Sequence, residues 1–175
     1  MQNITISPIA RIGCDFKEKF GVPRQSGRAK TVADVTLLPP FNAAESVRGI
    51  EQFSHLWLIF GFSLNDGFGA ENAAFSPLVR PPRLGGNEKV GVFASRSPFR
   101  PNALGLSCVK LLKVITPADG GVILRVSGAD LVDGTPIYDI KPYLATDVKI
   151  DATFGFSADC GSHRLAVNDE KLTVS

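Results

Sequence analysis

Two arginine pairs, each set in a stiff turn, are the first places in this chain where residue types and spacing suit chemistry. Arg80-Pro-Pro-Arg-Leu-Gly-Gly86 sets two guanidiniums around an extended Pro pair and follows them with two glycines that permit close backbone approach. Arg96-Ser-Pro-Phe-Arg-Pro-Asn102 repeats the device, with an Asn able to read or cap. One such loop reads as solvated surface. Two of them, straddling an apolar stretch at Val90–Ser95, point to an anion or nucleotide site, because the guanidinium fork suits phosphate and carboxylate.

A third segment, Ser127-Gly-Ala-Asp130, leads through Asp133-Gly134 into Asp139 and Lys141. Asp133-Gly134 is a turn signal, and Asp133 is expected to serve the backbone in an Asx turn. Asp139 and Lys141 are charges within a strand-like stretch, read either as a buried pair closing the fold or as functional groups. Asp130, just past a strand end, leans functional. The basic stretch Lys17–Lys30, with Pro23 setting the backbone ahead of Arg24 and Gln25, adds a second cationic cluster.

The elements that position these groups alternate with a period of two rather than 3.6. Strands are expected from Ile4 toward Ile12, and over Val32–Leu38, His55–Phe62, Val90–Ser95, Cys108–Ile115, Val122–Ser127 and Thr135–Ile140. The phase slip at Leu111-Leu112 predicts a bulge that turns both leucines inward. Asn42-Ala-Ala-Glu45 resembles a capping box at a helix start. Short strands, frequent turn signals and one clear helix suggest an all-β barrel or sandwich.

Composition narrows the function classes. At 175 residues the chain is one domain's worth of sequence, and 19 basic against 17 acidic residues leave a net charge of only +2. Nucleic-acid binding must therefore rest on where the charges sit. Cys14, Cys108 and Cys160 fit neither zinc spacing nor a disulfide framework and read as buried or incidental thiols. His55, in a strongly apolar strand, is expected to be a hydrogen-bonded core histidine; with His163 the chain's other His, a catalytic triad is not expected. No metal is expected. No Gly-x-Gly-x-x-Gly follows a strand, and there is no P-loop or nucleophile elbow. No secretory or membrane-spanning signal is seen, so the chain reads as cytoplasmic.

The motifs at 17–25, 48–57, 80–87, 91–102, 130–136 and 139–143, in that order, resemble the TsaA/YaeB-like family, whose characterised members are TrmO-type tRNA methyltransferases. The resemblance implies a mainly β fold, a single β-barrel of six or seven short strands with one or two short helices and no Rossmann-like sheet. It divides the chain into a barrel at 1–150 and a short C-terminal extension at 151–175. It implies S-adenosylmethionine as cofactor, tRNA as partner, a homodimer, and methylation of N6 of threonylcarbamoyl-adenosine at position 37 next to the anticodon. Carried over by motif, cofactor contacts fall on Pro23, Arg24, Gln25, Ser63, Leu64, Arg96, Leu106, Ser127, Gly128, Ala129 and Asp130. Asp133 and Asp139 are the candidate catalytic bases, and Arg83, Arg100 and Lys141 the candidate cations for the substrate carboxylate. The competing expectations are a non-catalytic RNA-binding barrel and a methyltransferase of the same fold with another substrate.

Overall fold

The computed structural model describes residues 4–18, 21–22, 26, 31–62, 76–118 and 120–157. Six antiparallel strands close into a barrel: β1 (Ala10–Gly13), β2 (Val32–Leu37), β3 (His55–Gly61), β6 (Leu104–Ile115), β7 (Ile123–Ser127) and β8 (Pro136–Pro142), in the order β1-β2-β7-β6-β3-β8. A separate two-stranded ribbon, β4 (Leu78–Val79) and β5 (Val90–Gly91), is inserted between β3 and β6.

Strand alternation builds the core directly. Ala10 and Ile12, Val35 and Leu37, Leu56 and Leu58, Leu124 and Val126, and Val109 and Ile137 all point inward and are buried, while the intervening residues face out. Phe60 joins them at the barrel end nearest β6's first residues, with its ring edge-on to Phe62 at a centroid distance of 5.2 Å. The register slips between Leu111 and Lys113, where the bulge was expected, but only Leu111 packs on the core; Leu112 is 46% exposed. A bulge keeps the residues on either side in phase by letting the extra one face outward.

Three local expectations differ from the structure. Residues 4–8 are not strand, and Ile4 is 87% exposed: β1 pairs with β2 and β8 only from Ala10 onward, although β8 continues past Ile137 to Pro142. The Val90–Ser95 stretch is strand only to Gly91 and then tightens into a 3-10 turn, Val92–Ala94, that buries Val92. Where a capped helix was predicted, two short 3-10 turns appear, Ala44–Val47 and Ile50–Gln52. Their caps are Ala43 and Gly49, which offer no side-chain acceptor, and Gly49 at φ 86° breaks the run.

Outside the barrel, Asp34 and Arg125 face each other across β2 and β7 and form a two-pronged pair at 2.8 and 2.9 Å. The Arg125 hydrogen bond holds the Asp34 carboxyl below its ordinary range. Its stabilisation is therefore present above the unfolded aspartate value of about 3.9 and is lost as pH falls through the lower folded value. Both side chains are well exposed, so Asp34→Asn is expected to cost less than about 1 kcal/mol at neutral pH. Thermal melts should show that difference shrinking toward zero as the pH is lowered below about 4.

Candidate functional site

β7 ends at Ser127, and the chain turns through Gly128, whose φ of 84° suits glycine. The turn is tied to the start of β2: the Gly128 N–H donates to the Thr31 carbonyl at 2.9 Å, and Thr31 Oγ1 donates to the Ala129 carbonyl at 3.0 Å. Gly128 and Ala129 are buried by this exchange, and Asp130 emerges half-buried beside β6.

Four groups converge on the Asp130 carboxylate. Ser107 Oγ donates to its Oδ1 at 2.5 Å, and Asp130's own N–H and the Ser26 N–H also point to it, while the Arg96 guanidinium lies within electrostatic reach. Burial pushes the Asp130 carboxyl above its ordinary value, and those hydrogen bonds and the Arg96 charge only partly offset it. Ser107 itself is 2% exposed, a hydroxyl set among inward-facing apolar residues of β6. The structure thus brings together, around one carboxylate, the 96–102 loop, the 127–130 turn and a residue next to the Pro23-Arg24-Gln25 motif.

The loop that delivers Arg96 is braced by its own polar groups. Ser95 Oγ donates to the Val92 carbonyl at 2.9 Å and accepts from the Ser97 N–H at 3.3 Å; Ser97 Oγ accepts from the Phe99 N–H at 3.2 Å. Arg100 Nη1 donates to the Ser95 carbonyl at 3.1 Å, so this guanidinium is partly committed to holding the loop. Asn102 and Ala103, both at positive φ, turn the chain into β6. Arg96 is left exposed.

The remaining candidates divide between two other places. Asp139, Ile59 and Leu106 are in register across β8, β3 and β6, on the outer face of the barrel. Leu106 is 55% exposed there, back to back with the inward Ser107. Asp139 pairs with Lys141 at 3.0 Å and accepts the Ile140 N–H at 2.9 Å, with side chains 44% and 63% exposed, so the pair lies on the outside of β8 and is not a buried closure. In the next row, Trp57 lies beside Lys141, stacks against Tyr143 at 5.5 Å and donates its Nε1–H to Asp147 at 2.9 Å.

Asp133 has a different setting. Its Oδ1 accepts the Cys14 N–H at 2.9 Å and its Oδ2 pairs with Lys17 at 2.7 Å, a clasp between the two ends of the barrel sequence and not the local Asx turn expected. The Lys17 hydrogen bond, followed by that from Cys14, holds its carboxyl below the ordinary range. His55 faces outward beside Tyr143, its Nδ1 at 2.9 Å from Ser54 Oγ, and is not in the core. Cys14 and Cys108 are half-buried free thiols, both raised in pKa chiefly by burial and so held in the less reactive protonated form.

Pro23, Arg24, Gln25, Ser63, Leu64 and the Arg83 side chain lie outside the described residues, as do Cys160, His163 and the end of the C-terminal extension. Sequence reasoning missed Ser107 and Ser26. The available signal for Ser107 was phase: it is a hydroxyl at an inward position of β6, two residues before Val109. For Ser26 there was no signal, since its backbone and not its side chain does the work. Among the described residues, no cluster of His, Cys, Asp or Glu is placed to hold a metal ion, and no helix is long and apolar enough to cross a membrane.

With this geometry in view, the comparisons with known proteins converge. Residues 11–148 match the tRNA-methyltransferase O N-terminal domain family. The chain is 44% identical over 170 residues to the tRNA (adenine(37)-N6)-methyltransferase of Escherichia coli (strain K12), covering 96% of this chain and 70% of that protein. It is 57% identical over 107 residues to the protein of the same name in Eikenella corrodens, covering 61% of this chain and 57% of the relative. A crystal structure of TrmO from Pseudomonas aeruginosa superposes with a TM-score of 0.71 at 37% identity, over 89% of this chain and 63% of that one. The chain therefore spans a little under two thirds of that solved structure.

Proposed function

Because the chain belongs to the tRNA-methyltransferase O N-terminal domain family, we propose that it is the barrel of an S-adenosylmethionine-dependent enzyme that methylates N6 of threonylcarbamoyl-adenosine at position 37 of tRNA. The observation that carries the reading is the Asp130 cluster, in which Ser26 and Ser107 donate to a half-buried carboxylate at the end of β7 and the Arg96 charge lies within electrostatic reach. A carboxylate with a guanidinium beside it suits a ligand that bears ribose hydroxyls, an ammonium and a carboxylate. S-adenosylmethionine, when bound, supplies a sulfonium methyl group for in-line displacement.

This chain's residues do the holding and aligning. Asp130 accepts from a ribose hydroxyl or from the amino group, and the backbone of Ser127, Gly128 and Ala129 receives the adenine or methionine portion. Arg96 balances the charge of Asp130, and Leu106 offers an apolar contact from the outer face of β6. Pro23, Arg24, Gln25, Ser63 and Leu64 are assigned to the same cofactor by motif. Alignment and exclusion of water supply most of the acceleration in such a transfer.

Transfer to N6 requires a proton acceptor. Both carboxylates considered are doubly engaged, Asp133 by Cys14 and Lys17 and Asp139 by the Ile140 N–H at 2.9 Å and Lys141 at 3.0 Å, but the Lys17 and Cys14 hydrogen bonds hold the Asp133 carboxyl below its ordinary range, which makes it the poorer base. Asp139 has the better claim: it is more exposed and shares a row with Leu106, two strand spacings or about 10 Å away. Lys141 beside it, with Arg83 and Arg100, is assigned to the threonyl carboxylate. The enzyme is taken to act as a cytoplasmic homodimer.

The test is to incubate the purified chain with S-adenosylmethionine and tRNA and follow threonylcarbamoyl-adenosine by nucleoside mass spectrometry. The expected result is gain of one methyl group on that nucleoside. Asp139→Asn should reduce turnover by about 10²- to 10⁴-fold with cofactor binding retained. Saturable tRNA binding without methylation, under conditions where the cofactor binds, favours the RNA-binding barrel instead.

A further inference from the structure

The β4–β5 ribbon is a separate two-stranded sheet that lies between β3 and β6 in the chain, and its two faces differ. Leu78 pairs with Gly91 and Val79 with Val90; continuing that register sets Arg80 opposite Lys89. Alternation then puts Leu78, Gly91, Arg80 and Lys89 on one face and the two valines on the other. The valines are half-buried, whereas Leu78 is 48% exposed and Arg80, Lys89 and Gly91 are exposed as well. A side chain built at Gly91 meets nothing within 4 Å, so this face is open.

Two further features adjoin it. At the ribbon tip, Gly85 and Gly86 have left-handed backbones with empty space where a side chain would stand, which lets a phosphodiester approach the main chain. At its base, Phe93 is 77% exposed, held out by the 3-10 turn that buries its neighbour Val92. Phe93 and Arg96 are three residues apart, so their Cα atoms are within about 11 Å, and the Arg96 charge is felt at Asp130.

The charge on this stretch has one sign. Residues 76–103 hold Arg80, Arg83, Lys89, Arg96 and Arg100 against a single acid, Glu88, on a chain whose net charge is only +2. Neither Arg80 nor Lys89 enters an ion pair among the described residues. Unpaired cations beside an exposed aromatic ring fit a polyanion whose bases can stack, while lysine is a residue that protein–protein interface cores disfavour.

We propose that the open face of the β4–β5 ribbon, with Phe93 at its base, is a docking platform for single-stranded RNA: Arg80 and Lys89 hold backbone phosphates, and Phe93 stacks on an unpaired base. This rests on the reading of the chain as a tRNA methyltransferase and gives that reading a place for the loop nucleotides flanking the target. The platform leads toward Asp130, so a strand laid along it delivers a neighbouring nucleotide to the proposed methyl donor.

The test uses the full chain and an anticodon stem-loop RNA carrying threonylcarbamoyl-adenosine, with binding measured across a range of salt concentrations and cofactor binding measured separately. Phe93→Ala should weaken RNA binding about 5- to 100-fold without altering its salt dependence, and Phe93→Trp should restore it. The Arg80→Ala, Lys89→Ala double variant should make the plot of log affinity against log salt shallower by roughly 1.4, at about 0.7 per phosphate contact. S-adenosylmethionine binding should be unchanged in all three. Wild-type RNA affinity and salt slope in these variants, with methylation intact, overturn the platform and leave the methyltransferase reading standing. Loss of self-association in Phe93→Ala with RNA affinity unchanged assigns the ring to a contact between copies and likewise overturns it. Failure of the unaltered chain to bind this RNA at all overturns the reading on which the platform rests.

Discussion

Asp130→Asn should lose S-adenosylmethionine affinity by about 10- to 100-fold and yet melt at a higher temperature than the wild-type chain at neutral pH. The first half follows from removing the charge: hydrogen bonds to an ionised acceptor contribute about 1.5–3 kcal/mol, more than their neutral counterparts. The second half follows from the direction in which the carboxyl is shifted. Burial raises it above the unfolded value, and the bonds from Ser107, its own N–H and Ser26 and the Arg96 charge do not fully compensate. A group shifted this way stabilises the fold fully only below the unfolded pKa of about 3.9, and the contribution is lost as pH rises through the folded value. At pH 7 the ionised Asp130 is therefore a net burden that asparagine relieves, while Asn Oδ1 can still accept from Ser107. Calorimetric titration and melts at neutral and acidic pH check both halves. A variant that binds the cofactor as tightly as wild type removes Asp130 from the site. One that melts several degrees lower at pH 7 makes it a structural residue.

Gly105→Ala is expected to cost about 1–3 kcal/mol of stability and to reduce cofactor affinity at a distance. Gly105 is paired with Phe60 across β6 and β3, and a Cβ there would stand 2.3 Å from the Phe60 ring. The ring has little room to yield, since Phe60 is 5% exposed and sits edge-on to Phe62. An aromatic side chain lying over a cross-strand glycine fills the space the glycine leaves, so the two residues form one packing unit. Ser107 is the next inward residue after Gly105 on β6, and any shift of the strand is passed to its bond with Asp130. Urea unfolding gives the stability change, and titration of the folded variant with S-adenosylmethionine gives the second effect. Gly91→Ala, at a position with open space and an ordinary φ of −59°, is the matched substitution that should leave stability unchanged.

How much of this was legible in the sequence depended on whether the cause was local. Alternation over Val32–Leu38, Val122–Ser127 and Thr135–Ile140 announced three barrel strands, because each presents one face to a shared core, while β3 was announced by the short, strongly apolar run His55–Phe62. The phase slip at Leu111-Leu112 announced the bulge for the same reason. Ile4-Thr5-Ile6 carried an identical alternation without forming a strand: the pairing of β1 begins at Ala10, and Ile4 and Ile6 stay exposed with no core face to fill. Within the site, Arg96 and Asp130 stood out by residue type and spacing. Their meeting did not, because it is made by a turn at Gly128 and a strand phase at Ser107 that lie far apart in the chain. Asp133 misled in the opposite direction: the local Asp-Gly signal is real, but its partners, Cys14 and Lys17, come from the other end of the barrel sequence.

The position of β8 between β1 and β3 has a consequence for how the chain comes to be folded. β1 closes on β8 through Ala10 with Ile137 and Arg11 with Pro136, contacts separated by most of the barrel's length. Contacts so distant in sequence require a large loop to close before they stabilise anything, which makes folding slow compared with helical domains of similar size. During synthesis the first strand emerges early and must wait for residues 136–142, and until then β1 and β3 each have an unpaired edge. A nascent chain stopped short of β8 would carry two such edges beside an unsealed apolar interior, the condition under which chains associate instead of folding.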